Sequence, residues 1–143
     1  MNIIICLDKN NGTFFNGRRQ SLDREIIKKI ALIVNNKTIG MSPYSAELFD
    51  TVKNISIHKL VDAHYMDRAE NLDYCFVEGE SLKQYIKEIN TILVFRWDKV
   101  YPADRYLDIS LADFTPVYEM GFHGNSHKQI IMEMYKKKTP ELK

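Results

Sequence analysis

Arg18 and Arg19 stand side by side in NNGTFFNGRRQSLDRE, the stretch from Asn10 to Glu25 that leads into a helical pattern. Backbone N–H groups at a helix start favour an anion, and two guanidinium groups add forked donors suited to a phosphate or carboxylate. A solvent-facing pair, or an arginine tied to Asp23 or Asp104, is the plainer alternative. Gly12 and Gly17 flank Phe14 and Phe15 in the same stretch. Glycine permits positive φ, and adjacent phenylalanines in such a loop do not easily both turn inward. One of them is therefore placed to cover a cleft as a lid would. Tyr44, Phe95, Trp97 and Tyr106 would extend an aromatic lining for a flat ligand, although core packing accounts more simply for Phe95 and Tyr106.

Other groups carry weaker chemical signals. Ser42 and Ser45 open a second helical pattern and supply hydroxyl donors for a phosphate, or Ser42 acts only as a cap. Gly79, Glu80 and Ser81 open a third, where glycine allows close backbone approach to a ligand, while the neighbouring acids favour a plain turn. Asp23 and Glu25 sit in a first turn, where the helix dipole stabilises an acid by about 0.3–1 kcal/mol. His123 and His127 have HxxxH spacing, but Gly124-Asn125-Ser126 between them reads as a turn and no third ligand is evident, so no metal is expected. The GxSxG elbow by which one class of Ser-His-Asp hydrolases is read from sequence is missing here, so no such hydrolase is expected.

These residues need elements to hold them. Met1 to Leu7 reads as a buried strand, and Ser21 as the N-cap of a helix running to about Val34. Lys37 to Met41 is a short strand, followed by a helix from Ser42-Pro43 through Phe49. Asn54 to His58 alternates weakly as a strand, and Leu60 to Glu70 places Val61, His64, Tyr65 and Ala69 near one helical face. Asp73 to Val77 is a strand, and Leu82, Tyr85, Ile86 and Ile89 stripe a third helix. From Thr91 strands dominate: Thr91 to Arg96, Tyr106 to Ile109, Phe114 to Met120 and Lys128 to Tyr135. This is an α/β pattern with a mixed, mostly parallel sheet, flanking helices and antiparallel C-terminal strands.

At 143 residues and a formal net charge of +1, residues 1–143 read as a single domain with no global pull toward nucleic acid or membrane. Lys136-Lys137-Lys138 reads as a solvated run. Cys6 and Cys75 lie in apolar runs without a CxxC partner, as buried free thiols of a soluble, cytoplasmic chain. The start shows no basic n-region or small-residue cleavage site, and no apolar run approaches the ~20 residues that span a bilayer.

The element order and several local stretches resemble dihydrofolate reductase over nearly the whole chain. IIICLDKNNGTFFNG is similar to that family's first strand and the glycine loop over its active site, and RRQSLDRE puts Asp23 where the pterin-binding carboxylate stands. KTIGMSPYSAELF is similar to the strand and helix of the nucleotide phosphate site. YCFVEGESLKQYI is similar to the strand, Gly-Gly turn and helix that face the nicotinamide and pyrophosphate. VYPADRYLDI looks like the segment leading into the final strands. The resemblance implies a three-layer reductase fold, a small-molecule ligand and NADPH as cofactor. Asp23 would then be the catalytic residue, and Ser42, Ser45, Gly79, Glu80 and Ser81 would bind the cofactor. Phe14, Phe15, Arg18, Arg19 and Tyr44 would contact substrate or an anion.

Departures accompany the resemblance. The Gly-Gly turn is Glu78-Gly79, a Gly-Arg pair is Ser42-Pro43, and no Pro-Leu-Pro-Gly-Arg segment is visible. Two readings follow: a protein that binds a nucleotide or planar heterocycle in the cleft, as an NADPH-dependent reductase would, or a non-catalytic ligand-binding or protein-interaction module on the same fold. The chain is expected to be a monomer, or a homodimer paired through the strand carrying Ile130, Ile131, Met132 and Met134.

Overall fold

Ile3, Ile4 and Ile5 are almost fully buried. A run apolar on both faces is stable only in a strand covered from both sides, and theirs lies inside the main sheet. The computed structural model describes residues 1–139. In chain order the strands are β1 (Asn2–Leu7), β2 (Gly12–Phe15), β3 (Arg18–Arg19), β4 (Thr38–Met41) and β5 (His58–Val61). There follow β6 (Tyr74–Val77), β7 (Thr91–Trp97), β8 (Arg105–Tyr106), β9 (Phe114–Phe122) and β10 (Ile130–Lys137). The one α-helix among the described residues is α1 (Arg24–Ile33). The main sheet runs β5-β4-β6-β1-β7-β10-β9, parallel from β5 to β7 and antiparallel in its last two strands.

Three layers result. Ile26, Ile30, Ala31 and Val34 recur at helical spacing and pack on Ile4, Phe76, Phe95 and Trp97 on one sheet face. Ile3, Ile5, Val77 and Val94 point to the opposite face, where Tyr65, Met66, Leu82 and Ile89 cover them. The fold class expected from the sequence is thus the one observed. No helix among the described residues is long and apolar enough to cross a membrane.

Several local expectations are corrected. The stretch ahead of α1 contains a β-hairpin, β2–β3, which with β8 forms a second, three-stranded sheet. Asn16 and Gly17 turn it with φ of 53° and 72°, the positive angles a tight hairpin turn requires. Asp23, not Ser21, caps α1, accepting from the Glu25 N–H. The helix expected after Ser42 is only a 3-10 turn, Pro43–Ser45, and the third helix is the 3-10 segment Lys83–Glu88. Neither has a side-chain N-cap bond, and helices this short gain too little packing to offset nucleation. The 60–70 helix divides into the end of β5 and a 3-10 segment, Tyr65–Asn71, kinked at Arg68. The strand expected at 54–58 starts only at His58, after the positive φ of Asn54.

Tyr106 is 53 % exposed on β8 rather than in the core, whereas Phe95 is fully buried. The strand bearing Ile130 to Met134 is not an edge: β10 is enclosed by β7 and β9. The edge is β9, which carries Pro116, Glu119 and a register shift opposite Met134/Tyr135, features that discourage pairing with another chain.

Candidate functional site

Arg19 leaves β3 pointing at the end of β6. Its Nε and Nη2 each donate to the Glu78 carboxylate at 2.8 Å, a forked ion pair. Ser45 Oγ donates to Glu78 Oε1 at 2.7 Å, and the Arg19 guanidinium lies 4.4 Å from the Tyr44 ring centroid. The Glu78 bond raises the Arg19 pKa further above an already high value. Phe14 is buried, with its ring 5.4 Å from that of Tyr44. Gly79 has φ of +83°, and a Cβ there would meet the Phe14 ring at 3.0 Å. Phe14, Arg19, Tyr44, Ser45 and Gly79 are therefore brought together, and the space between them is filled by Phe14 and Glu78.

Of the remaining residues proposed for cofactor contact, Glu80 and Ser81 are separately engaged. Ser81 Oγ and the Leu82 N–H both donate to Asp108, so a second protein carboxylate holds the start of the 83–88 segment. Glu80 accepts from Tyr65 Oη at 2.6 Å, and burial pushes its carboxyl up. Ser42 makes no side-chain capping bond. Phe15 and Arg18 face each other across the hairpin at its exposed tip. Asp8 pins the hairpin's base, accepting from the N–H groups of Asn10 and Gly12 at 2.8 Å each.

Asp23 is 1 % exposed and accepts from four backbone amides: Glu25 and Asn125 at Oδ1, Ser126 and His127 at Oδ2. His127 Nδ1 lies 3.0 Å from Oδ2 as well. Burial alone would raise this carboxyl, but the bonds from Asn125, His127, Glu25 and Ser126 outweigh it and hold it far below the usual carboxylate range. The other ring nitrogen of His127, Nε2, lies 2.8 Å from Tyr101 Oη and 3.0 Å from Ser21 Oγ. Trp97 stacks on the imidazole at 4.4 Å between centroids. His127, Ser21 and Tyr101 were not assembled from the sequence, because Ser21 and His127 are 106 positions apart. Among the described residues no group of three or more His, Cys, Asp or Glu is placed to hold a metal.

Two spaces adjoin Asp23. A cavity of about 20 Å³, room for roughly one water molecule, is lined by Cys6, Arg19, Ser21, Asp23, Glu78 and Trp97 among others. A groove of about 750 Å³ lies between α1 and the 48–55 segment. Leu22, Ile27, Leu32, Leu48, Val52 and Ile55 give it apolar walls, and Arg24, Lys28 and Lys53 line it with positive charge. Leu22 and Ile27 line both spaces and separate them.

No protein-family model matches the chain, and no curated protein matches its sequence. Among solved structures, a dihydrofolate reductase from Enterococcus faecalis, complexed with NADP(H) and RAB-propyl, is similar in fold. It aligns with a TM-score of 0.68 over 96% of each chain at 9% sequence identity. Layer order, sheet direction and this alignment agree: the chain has a dihydrofolate-reductase-like fold.

Proposed function

We propose that this chain is a small-molecule-binding protein built on the reductase scaffold, without nicotinamide-dependent reduction, and that its ligand is an amphipathic anion seated in the groove beside α1. One observation carries the reading: protein carboxylates, Glu78 and Asp108, already take the donors of Arg19, of Ser45 and of the start of the 83–88 segment. NADPH does not fit these residues, since its phosphates would meet like charge and Phe14 packs over Gly79. The groove has the size of a small-molecule site, apolar walls for a ligand's body and three cations for a carboxylate or phosphate. Burial raises the thiol pKa values of both Cys6 and Cys75, that of Cys75 to about 11, so neither offers a nucleophile to a ligand.

The reductase reading is second, supported by the NADP(H) of the structural neighbour. It needs Asp23 to serve a substrate ring, yet six protein donors, counting both side-chain groups of Ser126 and His127, already converge on that carboxylate. Titration with NADPH, with and without dihydrofolate, separates the two, because Trp97 lies against the cavity and reports by fluorescence. No saturation at millimolar NADPH is the expected result. Saturable binding with substrate-dependent oxidation that is lost in Asp23→Asn would overturn the proposal.

A further inference from the structure

We propose that Ser21, His127 and Asp23 form a hydrolytic triad that cleaves carboxylic esters whose acyl part lies in the adjoining groove. The groove part rests on the reading above; the triad rests on its own geometry. His127 Nδ1 lies 3.0 Å from both Asp23 Oδ2 and Ser126 Oγ, and the tautomer with its proton on Nδ1, toward the carboxylate, leaves the Nε2 lone pair facing Ser21 Oγ at 3.0 Å. Trp97 stacked on the ring and the backbone N–H of His127 on Asp23 hold the imidazole in place. A triad is recognised by such roles and distances, not by sequence order. Asp23 remains ionised, as the orienting acid of a triad must, because amides surround it.

Tyr101 gives the site an oxyanion donor. Its Oη shares His127 Nε2 with Ser21, at 2.8 Å, and one lone pair cannot serve both hydroxyls fully. When Ser21 Oγ attacks the ester carbonyl, its proton passes to Nε2, and Tyr101 is released to donate to the new oxyanion. Collapse re-forms the carbonyl and breaks the bond from its carbon to the alkoxy oxygen, and Nε2–H protonates the departing alkoxide. Water then gives a proton to Nε2 as its oxygen attacks the acyl-serine, and Ser21 leaves carrying that proton. Ser21 is half-buried on the small cavity, and Leu22 beside it lines the groove and is 47 % exposed, so an acyl chain in the groove reaches Ser21 only when the Leu22 side chain swings aside.

The test is labelling with an alkyl fluorophosphonate, read by intact mass and peptide mapping, alongside turnover of p-nitrophenyl esters of increasing chain length. Stoichiometric phosphonylation of Ser21 is expected, absent in Ser21→Ala and slowed about 100-fold or more in His127→Gln, the scale of a lost general base. Tyr101→Phe should keep labelling at Ser21 but lower ester turnover about 10²-fold, as loss of an oxyanion donor does. Labelling no faster in the wild type than in Ser21→Ala, with both proteins folded by thermal melt, overturns the triad. If labelling persists but Leu48→Asp leaves the chain-length preference unchanged, the triad stands and the groove is removed as its acyl site.

Discussion

The space on one side of Leu22 and Ile27 is closed and the space on the other is open, although both are built on the same helix and sheet. In the cleft, polar groups are taken up by partners from this chain: Arg19 pairs with Glu78, Ser45 donates to Glu78 and Ser81 to Asp108. In the groove, the side chains of Lys53 and Leu32 face solvent-accessible space, and Leu32 is 66 % exposed. A site that has satisfied its own donors loses those bonds when a ligand enters, so binding there is penalised. A groove with apolar walls gains burial instead, and Lys53 adds a cation at its wall, while Arg24 and Lys28 already meet Asn125 and Glu25. We propose on this ground that ligand binding falls on the face beside α1 rather than in the cleft.

Asp23→Ala should have the largest effect, because that carboxylate ties the 123–127 loop to α1 and so builds the wall between the two spaces. Removing an acceptor that buried donors share costs about 3–5 kcal/mol, or roughly 10 °C or more in Tm, measured by calorimetry. A fall of under about 1 kcal/mol would mean that the wall stands without it. The pH dependence follows the same bond. The folded pKa of Asp23 is depressed, so its stabilisation is complete above the unfolded value of about 3.9 and is lost as pH falls toward the folded value. Wild-type Tm should drop between roughly pH 4 and pH 2, more steeply than that of Asp23→Ala.

Glu78→Ala tests the closed side directly. It leaves Arg19 without its forked partner and Ser45 without its acceptor, at a cost of about 1–3 kcal/mol. It also creates a vacant cation, so the variant should bind inorganic phosphate or NADPH more tightly than the wild type by about tenfold or more. Isothermal titration of both proteins checks this; equal affinities would show that Glu78 is not what closes the cleft. Gly79→Ala is the milder version. It forces a side chain to φ of +83° and pushes a methyl against Phe14, for about 1–2 kcal/mol, with no gain in anion binding.

The sheet was legible in the sequence because its strands are short apolar runs with sharp ends: Ile3 to Leu7, Tyr74 to Val77 and Ile92 to Phe95 leave few alternatives. The resemblance to the reductase scaffold was legible for the same reason, since it rests on the order of those strands. The helices were less so. Leu82, Tyr85, Ile86 and Ile89 are spaced for a helix, yet only a 3-10 segment forms, because spacing does not reveal whether a cap and a long enough run exist. The hairpin has a local signal, Asn16-Gly17 between Phe15 and Arg18, which the glycine-loop resemblance obscures. The site was largely illegible. Arg19 pairs with Glu78 across 59 positions and Asp23 meets His127 across 104, and no local pattern carries contacts of that range.

Leu32→Glu should change stability least and sharpen the comparison most. Leu32 lies on the outer side of α1, where substitutions usually move stability by no more than about 0.5 kcal/mol. Glutamate at that position keeps good helix propensity, so α1 should persist. The groove changes in two ways: it loses part of its apolar wall and gains a negative charge opposite Lys28 and Lys53. An amphipathic carboxylate such as octanoate should therefore bind the wild type and lose about tenfold in affinity for the variant, from lost burial plus like-charge repulsion. Glu78→Ala in the same titration should leave octanoate affinity in the groove unchanged. If instead the cleft variant alters octanoate binding and the groove variant does not, the open and closed sides have been assigned the wrong way round.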